Sequence, residues 1–139
     1  MSVWMLVAAV WIPALAAQDK PPTSVRDGVY TAGQAGRGEA VYKQNCASCH
    51  GDALEGGGQA PGLAGSEFAT GWNDLTVWDL SDRIQVSMPA DHPGSLTRDQ
   101  NAAVLAYIFK MNSLPAGAKE LPTAEEALKG IRIEVGPKP

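Results

Sequence analysis

Two cysteines and a histidine lie close together in the sequence, as Cys46-Ala47-Ser48-Cys49-His50. Two thiols separated by two residues share one helical turn, where they can add to the two vinyl groups of a haem. The imidazole that follows then points at the iron from the proximal side. The pattern predicts one haem c, attached covalently through Cys46 and Cys49, with His50 as an axial ligand of the iron.

Other chemistries of a paired cysteine motif fit this chain less well. A redox dithiol belongs in a βαβ context, and the sequence has no buried-strand runs that could provide one. Structural zinc needs four ligands, whereas the whole chain has two cysteines and two histidines. A disulfide that closes so short a loop would be strained and easily reduced.

The second axial ligand has three candidates downstream of the motif. Met111 falls on the apolar stripe of a predicted helix, where methionine usually fills core space. His92 lies in a predicted surface loop, beside a proline and a glycine. Met88 follows a predicted helix and precedes Pro89, in a loop where helix packing does not explain it. We therefore predict Met88 as the ligand; the alternative is an iron with an open sixth position.

Four capping boxes place the helices that must position these side chains. They predict helices over about 32–45, 77–86 and 98–112, and a short fourth helix that Gly130 can close. Gly38 costs the first helix about 1 kcal/mol relative to alanine, so we expect another helix to approach it closely. Strand signals are confined to 131–133, and the predicted fold class is all-α with long loops. The boxes are Thr31 to Gln34, Thr76 to Asp79, Thr97 to Gln100 and Thr123 to Glu126.

Composition and charge narrow the function further. The 139 residues predict one domain, and we expect a monomer. A formal net charge of -4 argues against a nucleic-acid partner. Seven acidic residues and one basic residue fall within residues 46–91, which predicts an acidic face for a partner with a basic rim. We expect electron transfer to such a partner to slow as ionic strength rises.

The N-terminus carries an export signal. Residues 1–17 contain no charge and end in Ala14-Leu15-Ala16-Ala17, a pattern that signal peptidase accepts. The run is shorter than the roughly 20 residues of a membrane span, so we expect a periplasmic protein without stable membrane insertion. The basic residue that usually precedes the apolar run is missing, and an uncleaved anchor is the alternative. Residues 18–27 are predicted to be a linker.

The sequence from Asp27 to Asn112 resembles the monohaem class I c-type cytochromes, most closely the small periplasmic forms that accompany quinoprotein dehydrogenases. The resemblance implies an N-terminal and a C-terminal helix that cross beside one covalent haem. Gly38 and Tyr42 match the first of these helices, and Tyr107 matches the second. The cytochrome domain is thus expected over residues 28–112, with a C-terminal extension over 113–139 that either wraps the domain or contacts a partner.

The resemblance also implies roles for residues outside the attachment motif. The Pro61 carbonyl would accept a hydrogen bond from the His50 ring, Leu63 would pack on the porphyrin, and the loop that contains Met88 would supply the sulfur ligand. Trp72, expected in a loop, or Trp78 would donate its indole N–H to a haem propionate.

The function implied is one-electron transfer with no substrate chemistry. The donor would be a quinoprotein dehydrogenase, and the acceptor an oxidase or another cytochrome. An enzyme or gas sensor with an open sixth position is one alternative, and a membrane-tethered subunit of a larger oxidoreductase is another.

Overall fold

The computed structural model describes Met1, residues 20–58 and residues 60–136. Apart from Met1, the predicted signal peptide lies outside the described residues. The described part of the chain contains only helices and isolated bridges, which confirms the all-α class, and none of its helices is long and apolar enough to cross a membrane. The helices are α1 (Ala32–Asn45), α2 (Ala47–His50), α3 (Gly65–Trp72), α4 (Val77–Ser87), α5 (Arg98–Met111) and α6 (Glu125–Lys129), preceded by a 3-10 turn at Val25–Asp27.

Helices α1 and α5 cross at Gly38. A Cβ added there would lie 1.8 Å from the carbonyl oxygen of Ala103, so only glycine lets the two backbones approach this closely. One turn further along, the rings of Tyr42 and Tyr107 pack with their centroids 5.4 Å apart. The close approach expected at Gly38 is confirmed, and it makes the crossing the central contact of the fold.

Two of the four predicted capping boxes are complete, the one at Thr31 is half formed because the Gln34 side chain bonds to Leu121, and the fourth is wrong. The hydroxyl of Thr31 accepts a hydrogen bond from the backbone of α1, and α4 and α5 begin with complete capping boxes. Helix α6, however, starts at Glu125 after Ala124, which makes no side-chain cap bond. Glu126 is therefore the second residue of the helix rather than the third, so it cannot close a box with Thr123.

Helix α5 is buried over a longer stretch than its predicted stripe. Every residue from Asn101 to Phe109 is buried, because α1, α4 and the N-terminal segment cover different sides of the helix. Tyr30 is part of this cover: its ring lies 6.5 Å from that of Phe109, and its hydroxyl donates to the carbonyl of Leu114 at 2.6 Å.

The C-terminal extension wraps the domain. Its apolar residues Leu121, Leu128, Ile131 and Ile133 are each no more than 2 % exposed. Two kinds of contact hold it. The carboxamide of Gln34 in α1 donates to the Leu121 carbonyl at 3.0 Å and accepts from its N–H at 2.7 Å. Backbone bonds join Ile131 to Val77, the first residue of α4, and Ile133 to Asp74 and Leu75 between α3 and α4.

Part of the predicted linker is folded as well. Val25 is fully buried, and its N–H donates to the Arg132 carbonyl at 2.9 Å, while the Arg132 N–H donates to the Thr23 carbonyl at 2.9 Å. Residues 23–27 and the tail up to Gly136 therefore belong to the same packed unit as the helices. The tail supplies the backbone partners of Thr23 and Val25, in addition to the local bond from the Asp27 N–H to the Ser24 carbonyl.

Candidate haem site

The two cysteines lie on one helical turn at the junction of α1 and α2. The Cys46 carbonyl accepts hydrogen bonds from the N–H groups of Cys49, at 3.1 Å, and His50, at 2.9 Å. Gly51 then ends the turn with a φ of 82°. The thiols are not joined in a disulfide; Cys46 is half-buried and Cys49 is exposed. This is the arrangement that the spacing predicted.

The thiols lack the features of a redox pair. Burial, reinforced by the neighbouring Cys49, raises the pKa of the Cys46 thiol to about 11. A reactive cysteine needs a lowered pKa so that the thiolate forms near neutral pH. A zinc site also lacks support, since no group of three or more His, Cys, Asp or Glu side chains in the described residues could hold a metal ion.

The His50 ring is buried and held by one hydrogen bond. The residue is 8 % exposed, and its Nδ1 atom lies 2.8 Å from the carbonyl oxygen of Pro61. A carbonyl can only accept, so Nδ1 carries the proton. The lone pair is then on Nε2, which has no hydrogen-bond partner in the described part of the structure. This is the tautomer that a metal-ligating histidine needs.

Backbone contacts fix the loop that carries Pro61. The Gly56 N–H donates to the His50 carbonyl at 2.8 Å, and the Leu63 N–H donates to the Leu54 carbonyl at 2.8 Å. A Cβ at Gly56, where φ is 78°, would lie 2.5 Å from the nitrogen of Gly62. Backbone bonds therefore hold the loop on both sides of Pro61, through Gly56 before it and Leu63 after it.

Met88 directly follows α4 and begins the predicted ligand loop. Its N–H donates to the Ile84 carbonyl at 2.9 Å, its backbone is extended, and its side chain is half-buried against the core. His92 is different, because its side chain is 77 % exposed and lies 3.3 Å from the Asp91 carboxylate. Met111, the third candidate, is the last residue of α5 and is half-buried against the same core as Met88.

The remaining predicted site residues also lie at the edge of the core. Leu63, Trp72 and Trp78 are half-buried and pack against it. Trp72 is not in a loop as predicted but is the last residue of α3. The sequence gives no start signal for this helix, because its N-cap, Ala64, makes no side-chain bond. Trp72 and Pro61 line the same open cavity of about 480 Å³.

A contact that sequence reasoning missed involves Asn112. This residue caps α5, and its carboxamide bonds to the backbone of both Leu63 and Gly65. An asparagine after a helix is usually only a cap, so no sequence signal distinguishes it.

Comparison with known proteins decides the family. A family model described as cytochrome c oxidase, cbb3-type, subunit III, matches residues 33–108, more than half of the chain. The chain belongs to this cytochrome c family. Comparison with curated proteins returned no match. Among solved structures, the cytochrome chain is similar to the sulfane dehydrogenase SoxCD from Paracoccus pantotrophus, at 26 % identity and a TM-score of 0.47. The match covers 78 % of this chain and 59 % of the other, so this chain spans less than two thirds of that one.

The cofactor of this cytochrome is one covalent haem c, the group with which a cytochrome c domain transfers electrons. The structure accommodates that group in two respects. Cys46 and Cys49 are free and share one turn. The His50 Nδ1 atom is bonded to Pro61, which leaves the lone pair of the ring on Nε2, and this atom has no hydrogen-bond partner among the described residues.

Proposed function

We propose that this protein is a periplasmic one-electron carrier whose haem iron is ligated by His50 and Met88. The observation that carries the proposal is the 2.8 Å contact between His50 Nδ1 and the Pro61 carbonyl. It fixes both the tautomer and the direction of the ring, which a ligand needs and a core histidine does not. Met88 is favoured as the second ligand because it follows α4 in a loop, whereas Met111 lies within α5 and the His92 side chain is exposed.

Each residue near the haem would have a separate role in electron transfer. When bound, the haem supplies an iron that cycles between the ferrous and ferric states. The Pro61 carbonyl orients the imidazole and raises its donor strength. The Met88 thioether favours ferrous iron and raises the reduction potential. Leu63 would pack on the porphyrin, and the indole N–H of Trp72 would donate to a propionate. Both side chains are only half-buried by protein, so each keeps exposed surface that could contact the haem.

We further propose that the protein docks its redox partners through the acidic segment 46–91. All seven acidic residues of this segment are exposed, so their charges are available to a basic partner. The donor would be a dehydrogenase, of quinoprotein type by the resemblance above, and the acceptor an oxidase or another cytochrome. Stopped-flow electron transfer with a basic partner should slow as ionic strength rises. Acceleration by salt would contradict an acidic docking face.

A second candidate is a subunit of a larger oxidoreductase, tethered by an uncleaved N-terminus. The observation in its favour is the description of the matching family, which names a subunit of an oxidase. Fractionation of the native cells distinguishes the two. Recovery in the periplasmic fraction without detergent supports the carrier, whereas recovery in the membrane fraction supports the subunit.

The axial ligands are tested by optical spectra of the matured holoprotein, oxidised, reduced, and reduced under carbon monoxide. We expect low-spin spectra, a charge-transfer band from methionine sulfur to ferric iron, and no response to carbon monoxide. In Met88→Ala the band should disappear and carbon monoxide should bind. Met111→Ala is the matched control, and it should keep the wild-type spectra. A wild-type protein that is high-spin and binds carbon monoxide would instead support the enzyme or gas sensor.

A further inference from the structure

Asn112 uses its whole carboxamide to join the end of α5 to the loop beyond Pro61. Its Nδ2 group donates to the Leu63 carbonyl at 2.9 Å and to the Ile108 carbonyl at 2.9 Å. Its Oδ1 atom accepts from the N–H of Gly65 at 3.0 Å. One side chain thus fixes two backbone groups of the loop relative to the helix.

The segment that Asn112 holds, residues 63–65, joins the Pro61 loop to the start of α3 at Gly65. Among the described residues, the non-helical backbone bonding of residues 63–65 consists of the bond from the Leu63 N–H to the Leu54 carbonyl, at 2.8 Å. Pro61 lies only two residues before this segment, and it has no N–H of its own. The position of its carbonyl therefore depends on the anchors on either side. Downstream of Pro61 these are the bond from Leu63 to Leu54 and the carboxamide of Asn112, which is the side-chain anchor.

The helix to which Asn112 belongs is itself fixed relative to the attachment motif. Helix α5 crosses α1 at Gly38 in backbone contact, and α1 leads directly into Cys46. The motif is thus tied to the crossing through α1, and the Pro61 loop is tied to it through α5 and Asn112. The helix crossing thus helps to fix both partners of the bond between His50 and Pro61, together with the bond from the Gly56 N–H to the His50 carbonyl.

We propose that Asn112 is a positioning residue for the axial ligand: its carboxamide holds the Pro61 carbonyl against His50 Nδ1. This inference rests on the proposed ligation of iron by His50. When the Asn112 carboxamide is removed, the Pro61 carbonyl is held less firmly against the His50 ring, and the imidazole becomes a weaker donor to the iron. Because a strong imidazole donor favours ferric iron, loss of the Asn112 carboxamide should raise the reduction potential.

The test is Asn112→Ala in the matured holoprotein, compared with Gln34→Ala. Gln34 is a matched control, because its carboxamide likewise joins a helix to a distant backbone segment through one donor and one acceptor bond, both to Leu121 in the tail. Both variants should lose stability. Only Asn112→Ala should raise the reduction potential and accelerate solvent exchange of the His50 Nδ1 proton, by about tenfold in NMR spectra of the ferrous protein. Asn112→Leu keeps the size of the side chain without its polar atoms and should behave in the same way if the alanine variant does not mature.

The outcomes separate the two hypotheses. If the wild-type protein lacks a histidine-ligated low-spin haem, the proposed ligation fails, and the positioning role fails with it. If the wild type is ligated as proposed but the potential and proton exchange of Asn112→Ala match those of Gln34→Ala, Asn112 is only a structural cap. A raised potential with faster exchange in the Asn112 variants alone would establish the positioning role.

Discussion

The crossing of α1 and α5 predicts opposite effects for two alanine substitutions in the same helix. A Cβ at Gly38 would lie 1.8 Å from the Ala103 carbonyl oxygen, whereas a Cβ at Gly36 would meet nothing within 4 Å. Both substitutions remove a glycine from α1. They therefore share the gain in helix propensity, about 1 kcal/mol, and differ only in the contact.

The size of the difference follows from the geometry. Since Cβ contacts below 3.0 Å are essentially never found, α1 and α5 would have to separate by about 1.2 Å in Gly38→Ala. Overpacking of this kind costs about 1–3 kcal/mol. The separation also loosens the pair formed by Tyr42 and Tyr107, which contributes about 0.5–1.5 kcal/mol. After subtraction of the propensity gain, we expect Gly38→Ala to lower the free energy of unfolding by about 2 kcal/mol.

The assay is guanidinium unfolding of the holoprotein, followed by Soret absorbance and tryptophan fluorescence. Gly38→Ala should lower the guanidinium concentration at the midpoint of unfolding. In thermal unfolding, the same variant should lower the Tm by about 5–10 °C. Gly36→Ala should raise the free energy of unfolding by about 0.5–1 kcal/mol. Equal stability of the two variants would refute the reasoning, because it would mean that the crossing yields without cost.

Three further predictions concern the caps and the tail. The side-chain hydroxyl and backbone N–H of Thr76 lower the pKa of Asp79. This carboxylate therefore stabilises the folded state above its unfolded pKa, and that stabilisation is lost as the pH falls. Between about pH 5 and 3, the free energy of unfolding in urea should fall less in Asp79→Asn than in wild type. Ile133→Ala empties a fully buried site and should cost about 2–4 kcal/mol in the same assay; a loss below about 0.5 kcal/mol would show that the tail does not pack. Thr31→Ala should cost about 1 kcal/mol because Thr31 caps α1, whereas Thr123→Ala should be nearly neutral because it caps nothing; equal losses would contradict the corrected start of α6.

Local patterns in the sequence were enough to predict most of what surrounds His50. The motif predicted the attachment turn, and the Thr31, Thr76 and Thr97 signals predicted the starts of α1, α4 and α5. Gly38 predicted the helix crossing, because a glycine inside a helix has a cost that close packing explains. Each of these signals lies within a few residues of the feature it describes.

The features that sequence reasoning missed depend on contacts between distant residues. Helix α3 has no capping side chain, and in the tail Ile133 bonds to the backbone of Asp74 and Leu75, which lie far away in the sequence. Asn112 reaches Leu63 across 49 residues. Periodicity and caps report on neighbours along the chain, so they carry no information on which remote carbonyl an amide will meet.

The pairing of residues 23–27 with the tail has a consequence for how this domain can be connected to others. Because Arg132 bonds to both Thr23 and Val25, the polypeptide enters and leaves the folded unit at the same corner. Any domain joined before Thr23 would share that exit with any domain joined after Gly136, and the two would compete for the same space. The unit can equally be inserted as a cassette into a surface loop of a host protein, since it closes on itself and needs only one narrow point of attachment.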